Sequence, residues 1–447
     1  MTSILRETVL DLLLRIDSDS GFSHLLIDHE IKSHRIPERD AGLLTEMVYG
    51  TLQRKLTLDY YLEPYLSTGK KIKPWVRMLL RMSVYQMAYL DKVPDHAIIH
   101  EAVEIAKQRG HRGIAALVNG VLRNIQRKGL TETSNIHEMS KRISIETSHP
   151  EWLVNRWIDM YGIETTKQMC EANLTRKGTS VRVQPMKISR DGAISRLQEQ
   201  GFDVQESAFS AQGIVITKGN ILKTDLFKEG YVTVQDQSSM LVGEILDLKS
   251  NMTVLDACSA PGGKVTHIAE KMNDTGKIYA YDLHVKKAKS IMDKAKNLDL
   301  TIIDAKQNDA RKLQDVHKEG SFDRILIDAP CSGLGVIRGK PEIKYNKQAT
   351  DIKKLAQIQF DILHEVAPLL KQNGRLMYTT CTVDKEENNR VVTRFLASHP
   401  EYTVDQAFFE ELPDFLADSE GISDEGLQLF PYTFQTDGFF LTRFIKK

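Results

Sequence analysis

Cysteine is scarce in this chain, with four in 447 residues at positions 170, 258, 331 and 381. They stand too far apart for a disulfide scaffold and contain no C-x-x-C pair of the kind that binds zinc. Long apolar runs are absent, since no stretch approaches the roughly 18 residues of a membrane span. The N-terminal MTSILRETVLDLLLRID interrupts its apolar residues with Arg6, Glu7, Asp11, Arg15 and Asp17, so it lacks the continuous apolar core a signal peptide needs. Net charge is missing too, because 60 Lys and Arg balance 60 Asp and Glu. A generic polyanion binder is thereby excluded, and any nucleic acid must meet local patches. The expectation is a cytoplasmic chain with no membrane partner and no metal. At about 150 residues per domain, the length suggests roughly three domains.

Hydrophobic periodicity divides the chain. Over positions 1–127 apolar side chains recur at i, i+3, i+4 and i+7, as in Val76, Leu79, Leu80, Val84 and Met87. A second stripe, Ile98, Ala102 and Ile105, is separated by Gly110 and Gly113 from a third, Val118, Val121, Leu122 and Ile125. An all-α bundle is expected over 1–140. Residues 128–149 are polar and weakly periodic and read as a linker. From Pro150 a helix, EWLVNRWIDMY, leads to strand candidates SVRVQPM and GIVITKG around the helical AISRLQEQ, so 141–235 reads as a small α+β domain. From 236 to 447 the runs TVLDAC, KIYAYD, TIID, DRILIDAP and RLMYTTC alternate with helical stretches, which predicts a doubly wound, mostly parallel α/β sheet. The terminal GFFLTRFIK suits an antiparallel strand at the sheet edge. Residues 401–430, with nine acids and no Lys or Arg, read as a solvated peripheral face.

The first of these strands ends in Asp256-Ala257-Cys258-Ser259-Ala260-Pro261-Gly262-Gly263-Lys264 and runs into the helical VTHIAEKM. A strand, glycine turn and helix in that order is where open α/β sheets bind ligands. It is not a P-loop, because Val265 follows Lys264 where Ser or Thr is required, nor does it keep the G-x-G-x-x-G spacing of dinucleotide sites. Three acids stand where later strands end: Asp282, Asp309 and Asp328. Singly each suits a helix N-cap. Together they repel a pyrophosphate and suit a cation, and Asp282 follows Gly263 at close to the spacing of an acid that binds ribose hydroxyls. S-adenosyl-L-methionine, a sulfonium cation bearing a ribose, fits that pattern.

Two cysteines also fall at strand ends, in Asp328-Ala329-Pro330-Cys331-Ser332-Gly333-Leu334-Gly335 and Thr379-Thr380-Cys381-Thr382. Cys170 and Cys258 read as buried packing residues. A methyl donor needs a thiol when the acceptor is carbon 5 of a pyrimidine, which attacks only after a nucleophile has added to carbon 6. A carboxyl group near nitrogen 3 assists, and Asp328, three residues before Cys331, suits that role. Whether Ser332 or Thr382 orients the thiols is left open by the sequence.

DACSAPGGK, Asp282, NDA at 308–310, DAPCSGLG and YTTCT, together with VQDQSS at 234–239 and DGFF at 437–440, closely resemble the Sun-type RNA 5-methylcytosine methyltransferases. The resemblance implies a Rossmann-like class I methyltransferase domain in which Cys381 is the nucleophile and Cys331 assists breakdown of the covalent intermediate. It implies further that residues 258–264, Asp282, Asp309 and Asp328 line the donor site. DNA cytosine methyltransferases use the Pro-Cys cysteine instead, so the residues alone leave Cys331 and Cys381 at even odds. LLTEMVYGTLQR at 43–54, HAIIHEAVEIAKQRG at 96–110 and LVNGVLRN at 117–124 resemble the helical NusB family, whose bundle binds RNA and protein. Such a bundle ahead of such a catalytic domain is similar to bacterial methyltransferases acting on 16S rRNA, and implies that residues 141–235 form an RNA-binding connecting domain. The implied substrate is 16S rRNA, free or partly assembled, the implied state is a monomer, and DNA is not expected as a partner. Arg338, Lys340, Lys344 and Lys347, with Arg176, Lys177 and Arg182, are the expected phosphate contacts.

Overall fold

The computed structural model describes residues 2–19, 23–33, 36–66 and 71–447. It divides into two compact units, one of residues 1–174 with 337–347 and one of 175–336 with 348–447.

The first unit is helical. Its helices Ala41–Gln53, Pro74–Tyr89, Asp95–Arg109 and Arg112–Lys128 turn their apolar stripes into one core. Val76, Leu79, Leu80 and Val84 are buried in it, as are Ala102, Ile105, Val118, Val121, Leu122 and Ile125. The second and third stripes are separate helices, parted at Gly110 and His111, where the His111 ring accepts a hydrogen bond from the Gly113 backbone at 3.2 Å. The segment expected as a linker is partly helical. Met139–Thr147 forms a helix that buries Ile143, and it is tied to helix Lys55–Leu62 by a hydrogen bond from Thr57 Oγ1 to the Ile145 carbonyl at 2.6 Å. Its apolar residues are few, so periodicity does not reveal it. The helix beginning at Glu151 runs to Ala172, with a break at Gly162, whose φ of 79° only glycine adopts readily.

The second unit holds two sheets. The smaller has strands β1 (Thr179–Val183), β2 (Asp203–Glu206), β3 (Gly213–Lys218) and β4 (Val232–Val234), antiparallel in the order β2-β3-β1-β4. The larger begins with β5 (Thr253–Asp256), β6 (Lys277–Asp282), β7 (Ile303–Gln307), β8 (Phe322–Asp328) and β9 (Leu370–Thr380), mutually parallel in the order β7-β6-β5-β8-β9. The remaining strands, β10 (Tyr402–Val404), β11 (Ile422–Ser423), β12 (Gly426–Leu429) and β13 (Phe439–Lys446), are antiparallel additions. The chain winds outward from β5 in both directions, so the crevice at the carboxyl ends of β5 and β8 is the ligand-binding switch point of such sheets.

Two expectations about the C-terminus are corrected. β13 is not an edge strand: it pairs with β9 on one side and with β12 and β10 on the other. Nor is 401–430 only a solvated face, because β10, β11 and β12 lie in it and Phe408, Leu412, Leu416, Leu427, Leu429 and Phe430 are buried. These apolar anchors are interspersed among the acids, an arrangement that a count of charges hides.

Candidate active site

β5 ends at Asp256, and the chain turns through Cys258 to Gly262 into helix Gly263–Lys271. The turn is closed by hydrogen bonds from Gly262 N to the Ser259 carbonyl at 2.8 Å and from Ser259 N to the Tyr281 carbonyl on β6, also at 2.8 Å. Gly262 has φ of 95°, a left-handed conformation that a side chain would strain. The turn presents the amino end of the helix to the crevice.

The carboxylates gather around this turn. Cys258 has its thiol pKa pushed up by burial and then by Asp256, Asp328, Asp282 and Asp309. Asp328 is held on both sides, by Lys264 Nζ on Oδ2 at 2.7 Å and by Thr379 Oγ1 on Oδ1 at 2.9 Å. Asp282 accepts from the His284 backbone at 3.0 Å and lies 3.9 Å from Lys287. Asp309 is engaged differently, since it caps a short helical turn and accepts from Arg311 Nε at 3.0 Å and Nη2 at 2.7 Å. The fourth acid, Asp256, is one that the sequence reading does not single out. It is fully buried, and burial followed by the nearby Asp328 pushes its pKa up to about 7 against hydrogen bonding from Ser259 and Cys258. Its place at the end of β5, just before the glycines, was the available signal.

The two cysteine loops meet. Cys331 Sγ lies 3.2 Å from Cys381 Sγ, on loops leaving the adjacent parallel strands β8 and β9. The Cys331 thiol is raised well above the usual range by its hydrogen bond to Cys381 and by burial, and either sulfur of the pair can act as the donor. Behind them Ser332 Oγ and Thr382 Oγ1 are 2.9 Å apart. Gly335 N donates to the Cys381 carbonyl at 3.0 Å, and Gly438 N to the Gly335 carbonyl at 2.9 Å. The DAPCSGLG, YTTCT and DGFF motifs, far apart in sequence, therefore share one backbone junction. A Cβ on Gly335 would stand 1.9 Å from the Gly438 carbonyl oxygen, so glycine is required there. VQDQSS joins the same junction: Asp236 accepts from Thr436 Oγ1 at 2.6 Å, and Lys177 bridges Asp236 and Asp437 at 2.5 and 2.6 Å.

Three of the basic residues expected to meet phosphate do other work. Arg182 is completely buried on β1, where Nε and Nη2 bond Glu270 at 2.7 and 2.8 Å, Nη2 bonds Thr266 at 2.9 Å, and Nη1 donates to the Gly263 carbonyl at 2.7 Å. Lys344 is buried in the first unit, donating to the Gln53 carbonyl at 2.8 Å, and burial drives its ammonium pKa well down. Lys177 is held by its two aspartates. Of the others, Arg176 is exposed, Lys340 and Lys347 are half-buried, and Arg338 donates to the Ala172 carbonyl at 2.9 Å. Cys170 is buried as expected, its pKa pushed up to about 12. Among the described residues no group of three or more His, Cys, Asp or Glu is arranged to hold a metal, and no helix is long and apolar enough to cross a membrane.

Comparison with known proteins covers each part of the chain. Residues 243–445 match the 16S rRNA methyltransferase RsmB/F family, residues 3–127 the NusB family, and residues 149–222 the ferredoxin-like domain of RsmF/B-like methyltransferases. The probable ribosomal RNA small subunit methyltransferase B of Bacillus subtilis is 47% identical over 442 residues, 99% of this chain and 98% of its own. The corresponding probable enzyme of Synechocystis is 32% identical, over 97% of this chain and 98% of its own. Among solved structures, that of PH0851 is 26% identical with a TM-score of 0.84, covering 100% of this chain and 99% of that one. A methyltransferase homologue from Pyrococcus horikoshii is 26% identical with a TM-score of 0.59, covering 69% of this chain and 99% of that one. On identity and coverage together, the chain belongs to the ribosomal RNA small subunit methyltransferase B family.

Proposed function

We propose that this protein transfers the methyl group of S-adenosyl-L-methionine to carbon 5 of a cytosine in 16S rRNA through a transient bond between Cys381 and carbon 6. The observation that carries the reading is the sulfur pair, 3.2 Å apart at the ends of adjacent strands. Such a pair can offer a thiolate and a proton carrier to one base, and Cys381 is given the first role and Cys331 the second on the resemblance of YTTCT and DAPCSGLG to the Sun-type family.

The donor's fit rests on the strand-end acids and the family: Asp282, Asp309 and Asp328 stand around the glycine turn, each with a cation beside it, Lys287, Arg311 and Lys264. Residues Cys258 to Lys264 would hold the donor's amino acid end, Asp282 its ribose, and Asp309 and Asp328 the remainder of the crevice wall. The donor supplies an electrophilic methyl on a sulfonium. Asp328, fixed between Lys264 and Thr379, would accept a hydrogen bond from the proton that nitrogen 3 takes up from solvent as Cys381 adds to carbon 6. Carbon 5 then takes the methyl, its proton leaves to a base, and the carbon–sulfur bond breaks as Cys331 hands a proton to the departing thiolate. The target must be unpaired or flipped to reach Cys381, which costs a few kcal/mol less when it already lies in a loop. Domains 1–140 and 141–235 would carry and orient the RNA, free or partly assembled, on a monomer.

Two variants test the assignment. Cys381→Ala is expected to abolish methyl transfer with donor binding intact. Cys331→Ala is expected to accumulate a covalent RNA–protein adduct, seen as a denaturation-resistant gel shift. Normal turnover by either variant would overturn the role assigned to that cysteine.

A further inference from the structure

A buried carboxylate that no step above uses lies directly behind the sulfur pair. Glu387, in the loop between Cys381 and helix Asn389–Ser398, is completely buried. One oxygen accepts the backbone N–H of Ser332, the residue after Cys331, at 2.8 Å, and also accepts Gln359 Nε2 at 2.9 Å. The other is bonded to the Ser332 hydroxyl, which in turn meets Thr382 Oγ1, on the residue after Cys381, at 2.9 Å. Gln359 ties the group down at two further points, donating to the Pro330 carbonyl just before Cys331 at 3.0 Å and accepting from Tyr378 OH at 3.2 Å. Tyr378, on β9 three residues before Cys381, also bonds the Glu387 carbonyl at 2.6 Å.

None of these hydrogen-bond partners is a cation, so the carboxylate is not held there by ion pairing. Burying an acid without a cation costs stability, and an apolar side chain would fill the space at less cost. What the carboxylate supplies is geometry: it accepts from one cysteine loop and, through a hydroxyl pair, fixes the other. We propose that Glu387 is the positioning residue that sets the Cys331–Cys381 sulfur pair, acting through Ser332 and Thr382. Its catalytic meaning rests on the covalent reading above, in which both sulfurs must reach one base. A displacement of about 1 Å in such a pair costs about a hundredfold in rate.

The test uses the full chain and reads the sulfurs directly. Diamide oxidises a close thiol pair: the two thiols give up two electrons and two protons to its azo bond, leaving a disulfide and a hydrazine. Peptide mapping by mass spectrometry then follows the Cys331–Cys381 crosslink. Glu387→Ala is expected to slow that crosslink at least tenfold and to lower kcat by about 10–100-fold, with donor KM within threefold of the unaltered protein. Glu387→Gln, which keeps an acceptor and the volume, is expected to recover most of both. Crosslinking at the unaltered rate in Glu387→Ala, or a donor KM that rises in parallel with the loss of kcat, would overturn the proposal. Should Glu387→Ala fail to fold, Thr382→Val cuts the hydroxyl link without emptying the site; slowed crosslinking supports the proposal and an unaltered rate overturns it. Crosslinking needs neither RNA nor product, so an error in the cytosine reading would appear separately, as absent 5-methylcytosine with normal crosslinking.

Discussion

Arg182 and Glu270 form an ion pair with both side chains at 0% exposure, 88 residues apart in sequence. Glu270 sits on the helix that follows the glycine turn, and its other donor is Gln212 Nε2 at 2.7 Å. Arg182→Met removes the charge while keeping most of the volume, and leaves Glu270 buried with one neutral donor. Breaking such a pair from one side costs about 3–5 kcal/mol, because the remaining charge stays desolvated. For a unit of this size each kcal/mol lowers Tm by about 2–4 °C, so the variant should melt roughly 6–20 °C earlier in calorimetry. The double variant Arg182→Met/Glu270→Leu should regain more than half of that loss, since it removes the orphaned charge as well. A second readout follows from the Nη1 bond to the Gly263 carbonyl at 2.7 Å. Losing one hydrogen bond that braces the glycine turn, worth about 0.5–1.5 kcal/mol, should weaken donor binding roughly two- to tenfold by titration calorimetry. An Arg182→Met protein melting within about 2 °C of the unaltered chain would refute the weight assigned to this pair.

The other predictions concern the crevice. Asp256 titrates near 3.8 in ordinary surroundings and about 7 here, so between those values the folded state keeps a proton that the unfolded chain has lost. The Asp256 contribution to folding stability therefore falls as pH rises from 4 to 7 and stays low above, by about 4 kcal/mol at the roughly 1.36 kcal/mol that each tenfold change in proton affinity represents. Asp256→Asn should gain stability over the unaltered protein across that window and hold a constant lead above it; a lead independent of pH from 4 to 8 would contradict the assignment. Gly335→Ala forces a methyl group against the Gly438 carbonyl, and the displaced backbone should cost about 1–3 kcal/mol and most of the activity, so a variant with normal melting and turnover would disprove the junction's role.

The doubly wound sheet was legible because each parallel strand is a short apolar run followed by a helix or loop, and the strand ends carry the acids and cysteines of the candidate site. The positions of Asp282 and Asp328 at the ends of β6 and β8 follow from that pattern alone. Long-range pairing was not legible. Arg182 and Lys177 read as solvent-facing cations because their partners, Glu270, Asp236 and Asp437, are remote in sequence. Lys344 resembles its neighbours in sequence, and its acceptor, the Gln53 carbonyl, lies 291 residues earlier. β13 reads as an edge strand because its second neighbour, β12, is a four-residue GLQL in an acidic stretch. Asp256 and Glu387 escape sequence reading for a common reason. Each acts as a single buried acid, and a lone Asp or Glu gives no sign of burial in sequence.

The most direct test is methyl transfer from labelled S-adenosyl-L-methionine to unmodified 16S rRNA, 23S rRNA and tRNA in parallel, followed by nuclease digestion and identification of the labelled nucleoside. Label in 16S rRNA alone, recovered as 5-methylcytosine, is the predicted result. Label on any other atom or base, or in another RNA in place of 16S rRNA, would contradict the proposed function.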